Sequence, residues 1–356
     1  MESGKRERKL YIDLLRIVAC VSVVLLHSAS QYWYDYPVTS RIWVICNSYD
    51  AVSRFGVPVF VMISGMLFLT REGEIHVRSL YRNNILRLVV AYVMWSVIYG
   101  LWDSLPWMGA EGVTLRDYVA EMILGRYHLW FIPMLIGIYM LLPLLKKMID
   151  SCDKRMVEYF LLIFLVLQIG RSTLAVFPVP NLANAVVQLV EVEMACSYVG
   201  YFVLGYYLYR YPVRGIIRRI LYICAVASAA LSVFVSWRAS IWYGEPRSEA
   251  YDSYSLFTFL IATALFVFFQ EKVSGISWGV KARKLIIELS SNTFGVYLLH
   301  LLVMEFLKNH GIDSMNWRFV QISNIIGIPV LVLICYTVCN VVVSILRRIP
   351  FVGKYF

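Results

Sequence analysis

The sequence predicts an all-α, polytopic integral membrane protein of about ten transmembrane helices with both termini in the cytoplasm. Three observations lead there. The chain of 356 residues is 60% hydrophobic and only 16% charged, with a mean hydropathy of +0.67, far from an average globular make-up. Apolar runs long enough to cross a bilayer recur along its whole length. Basic residues concentrate in alternate connections between those runs.

The first run, Leu10 to about Ser30, is long for a signal-peptide core and lacks a small-x-small cleavage site, so it reads as an uncleaved span behind a basic leader, residues 1–9. The second, 51–70, contains Ser64-Gly65, small residues of the kind that let membrane helices approach closely. The third, 87–102, holds Trp95, Ser96 and Trp102, and the fourth is 128–147. The fifth and sixth, 156–170 and 194–209, are short enough for one pair to form a re-entrant element. The last four lie near 216–237, 254–270, 290–308 and 320–346. Between them, 31–50, 103–127, 171–193 and 238–253 read as external loops rich in Trp, Tyr and Pro, suited to interfacial anchoring or to contact with a polar acceptor such as a sugar. No internal repeat appears, so residues 1–356 read as a single membrane-embedded domain ending in a tail at 347–356.

The charges test that path independently. Lysines and arginines in the leader, in 71–87, 146–155, 210–219, 272–284 and the tail number 23 and fall on one side; nine fall on the other. This asymmetry places both termini in the cytoplasm. The net charge of +10 is therefore a topology and headgroup signal, and nucleic acid is excluded as a partner in favour of membrane lipids. The seven cysteines are an odd number, five of them inside spans with Cys46 and Cys152 in loops; they suggest no disulfide framework or metal-ligand spacing, and no metal is expected.

Two ionisable residues interrupt the first span. Arg16 and His27 are eleven positions apart, and at about 100° per residue they share one helix face, separated by about 16 Å along the axis. That geometry suits a ligand lying along the membrane normal, its charged end near Arg16 and its reactive end near His27. The plainer readings are that Arg16 snorkels to the headgroups or pairs with Asp13 three residues earlier, and that His27 is a hydrogen-bonded packing residue. An imidazole able to accept a proton inside an apolar helix is nevertheless the best catalytic candidate in the chain.

At these residues the sequence resembles the acyltransferase-3 family of membrane proteins. Tyr11-Ile-Asp-Leu-Leu-Arg16 followed by His27 is similar to that family's first-helix signature, in which Arg and His stand eleven positions apart. Phe55-Gly-Val-Pro-Val-Phe-Val-Met-Ile-Ser64-Gly65, Arg87-Leu-Val-Val-Ala-Tyr92, His128-Leu-Trp130-Phe131-Ile-Pro133 and Ser290-Ser-Asn-Thr-Phe-Gly-Val-Tyr297-Leu-Leu-His300 match in order across the spans. The resemblance implies an O-acyltransferase, commonly an O-acetyltransferase, of the bacterial cytoplasmic (inner) membrane. It implies acetyl-CoA or another acyl-CoA as co-substrate and a hydroxyl of a cell-surface or lipid-linked glycan as acceptor. His27 would be the general base or relay. Arg16, Arg82 and Arg87 would contact the coenzyme A, and His128, Trp130, Tyr297 and His300 the substrate. Where the family carries an Arg-x-x-Arg pair, this chain has Asn84 before Arg87, with Arg82 and Arg78 nearby.

Plainer readings stand beside each of these. Four basic residues in 71–87 are what membrane topology alone supplies. His128 and Trp130 at an interface serve as anchors, and Tyr297, three positions before His300, shares its face for helix packing, while Glu305 points away. Glu191 and Glu193, at the mouth of the sixth span, are not selected by any spacing. The functional rivals are an exporter or flippase for a glycan intermediate, which would show inverted repeats or broken helices, and a non-catalytic sensor or scaffold.

Overall fold

In the computed structural model, residues 8–103, 115–177, 193–317, 320–350 and 353 are described. In chain order the principal helices are α1 (Leu10–Ala29), α2 (Arg41–Ser53), α3 (Gly56–Leu69), α4 (Val77–Asp103), α5 (Leu115–Leu124), α6 (Tyr127–Ser151), α7 (Lys154–Leu174), α8 (Glu193–Arg210), α9 (Gly215–Tyr243), α10 (Leu256–Phe268), α11 (Val280–Asn309) and α12 (Asn324–Leu346). Among the described residues the strands are one two-residue pair, Asn316–Trp317 against Val320–Gln321. The protein is thus an all-α, multi-pass membrane protein. Nine helical spans among the described residues are long and apolar enough to cross a bilayer. The position expected for the sixth span is taken by α8, whose backbone leaves helical geometry at Ser197 (φ −54°, ψ −130°).

Several boundaries differ from the sequence expectation: α4 begins at Val77 and not 87, and the expected loop 103–127 contains α5. Residues 31–50 are not simply a loop, since α2 begins at Arg41 with Ser40 accepting the Trp43 amide at 3.1 Å and runs to Ser53, a short turn before α3. Cys46 is therefore helical and buried, not a loop residue. Helix α11 begins ten residues before the apolar run at 290, because Lys281, Arg283, Lys284 and Glu288 form helical turns that a hydropathy scan discards.

Helix α1 lies at the centre, packed against α2, α3, α11 and α12. Its neighbour α3 and the helix α8 lie against each other almost backbone to backbone. A Cβ at Gly65 would fall 1.8 Å from the Phe202 carbonyl oxygen, and one at Gly205 would fall 1.9 Å from that of Met62. The small-residue reading of Ser64-Gly65 is borne out by this contact, which only hydrogen side chains permit. On the periphery, α9 buries Ser228, Ser232, Ser236 and Ser240, one per turn, while Ile217, Ile223, Val226 and Trp242 are exposed. Polar inside and apolar outside is the pattern of a helix bordered by lipid.

Candidate active site

The ladder for the site is α1. Asp13, near its beginning, is buried and held by Arg8 through two bonds of 2.8 and 2.9 Å and by the Ser290 hydroxyl at 2.7 Å. Arg16, one turn on, lies 3.9 Å from the same carboxylate, at the limit of an ion pair. Its guanidinium instead borders open space on two levels. Toward the start of α1 is a chamber of about 550 Å³ with Arg8, Lys9, Thr70 and Tyr209 in its wall. Further along is a cavity of about 320 Å³ bounded by Ser64, Asn84, Arg87, Tyr139, Phe131 and Tyr297. α3 runs antiparallel to α1 and gives Met66, Leu67 and Thr70 to the first level and Val57, Phe60 and Ser64 to the second, so the two cavities lie at successive levels along α1 with Arg16 in the wall of both.

Val23, one turn before His27, and the rings of Phe131 and Tyr297 wall the upper end of that cavity. Just beyond stand three imidazoles. The ring centroids of His27 and His300 are 5.0 Å apart, those of His128 and His300 5.4 Å, and those of His27 and His128 6.4 Å. They come from α1, α6 and α11, brought together by the packing of α1 on α11 and by the Tyr297 hydroxyl, which donates to the His128 carbonyl oxygen at 2.5 Å.

Tyr99 of α4 secures the same turn of α11, donating to the Leu298 carbonyl at 2.8 Å and accepting from the Leu302 amide at 3.3 Å. The Cys335 thiol of α12 donates to the His300 carbonyl at 3.4 Å.

Hydrogen bonding assigns the rings different capacities. Nδ1 of His300 lies 2.6 Å from the Tyr297 carbonyl oxygen, which can only accept, so Nδ1 carries the proton and Nε2 is left as a bare lone pair. That Nε2 is buried with no hydrogen-bond partner, and the same holds for both ring nitrogens of His128. The Leu298 carbonyl lies toward the His128 ring outside hydrogen-bonding geometry and already accepts from Tyr99. Buried polar atoms without partners are rare in folded chains, and three of them lie in this cluster. His27 is half-buried, and among the described residues its ring has no protein hydrogen bond.

Of the residues singled out in the sequence, the structure gathers His27, His128, Tyr297 and His300 into this cluster and sets Arg16 and Arg87 along the groove below it. Arg87 also lies over the Phe294 ring at 5.7 Å. It does not bring Arg82 or Trp130 there. Arg82 borders a separate shallow depression with His76, Arg78 and Ser79. Trp130 is 46% exposed and packs on Phe131 and Tyr198. Glu191 and the side chain of Glu193 lie outside the described residues.

Three features were not read from the sequence. Arg54 lies near His27, held by Asp50 through bonds of 2.7 and 2.8 Å and stacked 5.3 Å over Tyr251; the four-residue Asp-Arg spacing was its available signal. Arg126 joins Asp103 (2.9 Å) and Glu305 (2.6 Å) beside the cluster, with its guanidinium 5.3 Å from the Tyr99 ring, a link between distant residues that no local pattern announces. Finally, Tyr81–Ile85 form a π-helical turn in α4 that ends two residues before Arg87, the kind of irregularity that recurs at functional sites.

Residues 9–346 match the profile of the acyltransferase-domain family, and the chain belongs to that family. It is a multi-pass membrane acyltransferase. It is similar to a Bacillus subtilis (strain 168) protein provisionally named membrane-bound acyltransferase YfiQ, 24% identical over 315 residues that cover 82% of this chain and 80% of that one. No solved structure matches the chain.

Proposed function

We propose that this protein is an O-acyltransferase, with acetyl as the group transferred, that takes an acyl unit from cytoplasmic acyl-CoA and places it on a hydroxyl of a cell-surface or lipid-linked glycan at the bacterial inner membrane. One observation carries the reading: cavities lined by cationic side chains meet at Arg16 along α1, and the upper one is walled by Val23, Phe131 and Tyr297, next to three imidazoles of which His128 and His300 have buried nitrogens without partners. In this reading the end where α1 begins faces the cytoplasm, in keeping with the 23 basic residues assigned to that side.

The chemistry divides among the rings. The acceptor hydroxyl attacks the thioester carbonyl as His27 removes its proton. The carbon–sulfur bond then breaks, and the proton passes to the departing thiolate to give free coenzyme A. General-base assistance of this kind contributes about 10²- to 10⁴-fold. A neutral His128 has one N–H and no protein acceptor in hydrogen-bonding geometry, so it serves as donor to the oxygen that becomes negative during attack. His300, fixed with Nε2 as acceptor, orients the N–H of a neighbouring ring or of the substrate.

The test uses cells producing wild-type protein or the His27→Ala variant, with mass spectrometry of their envelope glycans and an assay of thiol release from acetyl-CoA by purified protein. One acyl mass unit gained only with the wild type supports the assignment. Glycan transported without thioester consumption would show a carrier instead.

A further inference from the structure

The two cavities approach the imidazoles from the end where α1 begins, and Tyr127 stands in the wall of neither. It meets the rings from another direction. Its ring centroid lies 5.7 Å from that of His27 and 5.9 Å from that of His128, in edge contacts with interplanar angles of 64° and 70°. Tyr127 is nevertheless 64% exposed. A tyrosine that touches both imidazoles and still shows most of its surface forms an outer lip over them.

Exposed aromatics at the end of a membrane helix are ordinarily interfacial anchors. Contact with the histidines sets Tyr127 apart from an anchor, and so does the fixed turn that carries it. Gly125, at φ +71°, seats against α4, where a Cβ would fall 2.9 Å from the hydroxyl oxygens of Tyr92 and Ser96. The Tyr92 hydroxyl donates to the Leu124 carbonyl at 2.5 Å, and the Leu129 amide donates to the Arg126 carbonyl at 2.8 Å. Arg126 and His128, on either side, are held by the ion pairs and the Tyr297 bond described above. A ring with few torsions on a braced turn has little freedom left to lose when a ligand settles on it.

Charge narrows what that ligand is. The two guanidiniums near the rings are committed, Arg54 to Asp50 and Arg126 to Asp103 and Glu305. An acidic sugar would find no uncommitted cation in either and would meet their carboxylates. An uncharged pyranose suits the setting, because its C–H face can cover an aromatic ring while the hydroxyls at its edge reach polar groups.

Resting on the glycan acceptor proposed above, we infer that Tyr127 is the stacking platform for an uncharged pyranose unit of the acceptor, holding one of its hydroxyls toward His27. Its role is to bind and orient the sugar, and it takes no part in the proton transfer.

The test uses full-length protein in phosphatidylcholine nanodiscs with radiolabelled acetyl-CoA. The acceptors are methyl β-glucoside, methyl β-glucuronide and glycerol, which has hydroxyls but no ring. Wild type is compared with Tyr127→Ala, Tyr127→Phe, Tyr127→Trp and, as an exposed aromatic of α9, Trp242→Ala. In Tyr127→Ala the KM for the glucoside should rise about tenfold or more, equivalent to about 1.4 kcal/mol of lost contact. The KM for acetyl-CoA and the rate with glycerol should stay at wild-type values, the split expected of a residue that binds only the sugar. Tyr127→Phe and Tyr127→Trp keep a flat ring and should stay near wild type, as should Trp242→Ala. Wild type should prefer the glucoside to the glucuronide.

An unchanged glucoside KM in Tyr127→Ala overturns the inference. So does an equal loss with glycerol, which would show that the ring merely braces His27, or a loss in Tyr127→Phe as large as in Tyr127→Ala, which would mark a hydroxyl contact in place of stacking. Preference for the glucuronide overturns the assignment of an uncharged sugar. If the wild type acylates glycerol but neither saccharide, or no alcohol at all, the glycan reading itself falls and the inference with it.

Discussion

The rings of His27 and His300 stand 5.0 Å apart, centroid to centroid, across the packed pair α1 and α11, and only one of them has its proton position fixed by the backbone. His300 is tied at Nδ1 to the Tyr297 carbonyl, so its tautomer is set before any substrate arrives. His27 has no such tie among the described residues and is the more exposed of the two. A fixed acceptor beside an untied, reachable imidazole is the division of labour expected of an orienting group and a base.

Replacing His27 by Ala should therefore lower acyl transfer by about 10²- to 10⁴-fold, with the protein still inserted and monodisperse. His300→Ala should act less severely, and His300→Gln, which keeps an acceptor oxygen, should recover part of the loss. Thiol release from acetyl-CoA, measured beside size-exclusion profiles, checks both. Full activity in His27→Ala would end the assignment.

His128 makes a separate prediction. If its N–H serves the developing oxyanion, His128→Phe should reduce kcat by about 10²- to 10³-fold while KM for acetyl-CoA stays near wild type. His128→Gln, which restores an N–H donor, should fall between. A loss confined to KM would instead mark a residue that only binds substrate.

Much of this was readable beforehand because the bilayer simplifies the problem. Length and apolarity alone place α1, α6, α9 and α12, and an arginine and a histidine inside an apolar run are conspicuous wherever they occur. Hydropathy was silent where helices leave the hydrocarbon. It missed α2, whose polar residues Asn47, Asp50 and Ser53 are buried against protein, and it missed the charged first turns of α11. The approach of His128 and His300 to His27 depends on three helices far apart in sequence, so no spacing could express it. Arg82 and Arg87 stand in one basic run, and only the packing of the helices shows that Arg87 lines the cavity beside Arg16 while Arg82 borders a depression with His76, Arg78 and Ser79.

Gly65 gives a prediction about stability. Its missing side chain admits the Phe202 carbonyl oxygen to 1.8 Å from where a Cβ would stand, and that neighbour is backbone, which cannot rotate aside. Gly65→Ala should force α3 and α8 apart and cost about 1–3 kcal/mol, the usual range for overpacking. Thermal unfolding in detergent should show a lowered Tm. A wild-type value would mean that the two helices slide freely.

Arg126 tests whether the ion cluster beside the histidines is structural or catalytic. It holds Asp103 and Glu305 together, and the Trp102 indole also donates to Glu305 at 3.0 Å, so α4, α6 and α11 are joined through one guanidinium. Removing it leaves two partly buried carboxylates facing each other, which should cost about 1.5–3 kcal/mol for the charged hydrogen bonds lost. Arg126→Lys keeps the charge but not the fork that reaches both acids at once, so it should restore only part of that stability. If the cluster is purely a strut, Arg126→Ala will lower Tm while the kcat of the surviving folded protein stays unchanged at low temperature. If kcat falls in the folded fraction as well, the cluster does more than brace the helices, and the strut account fails.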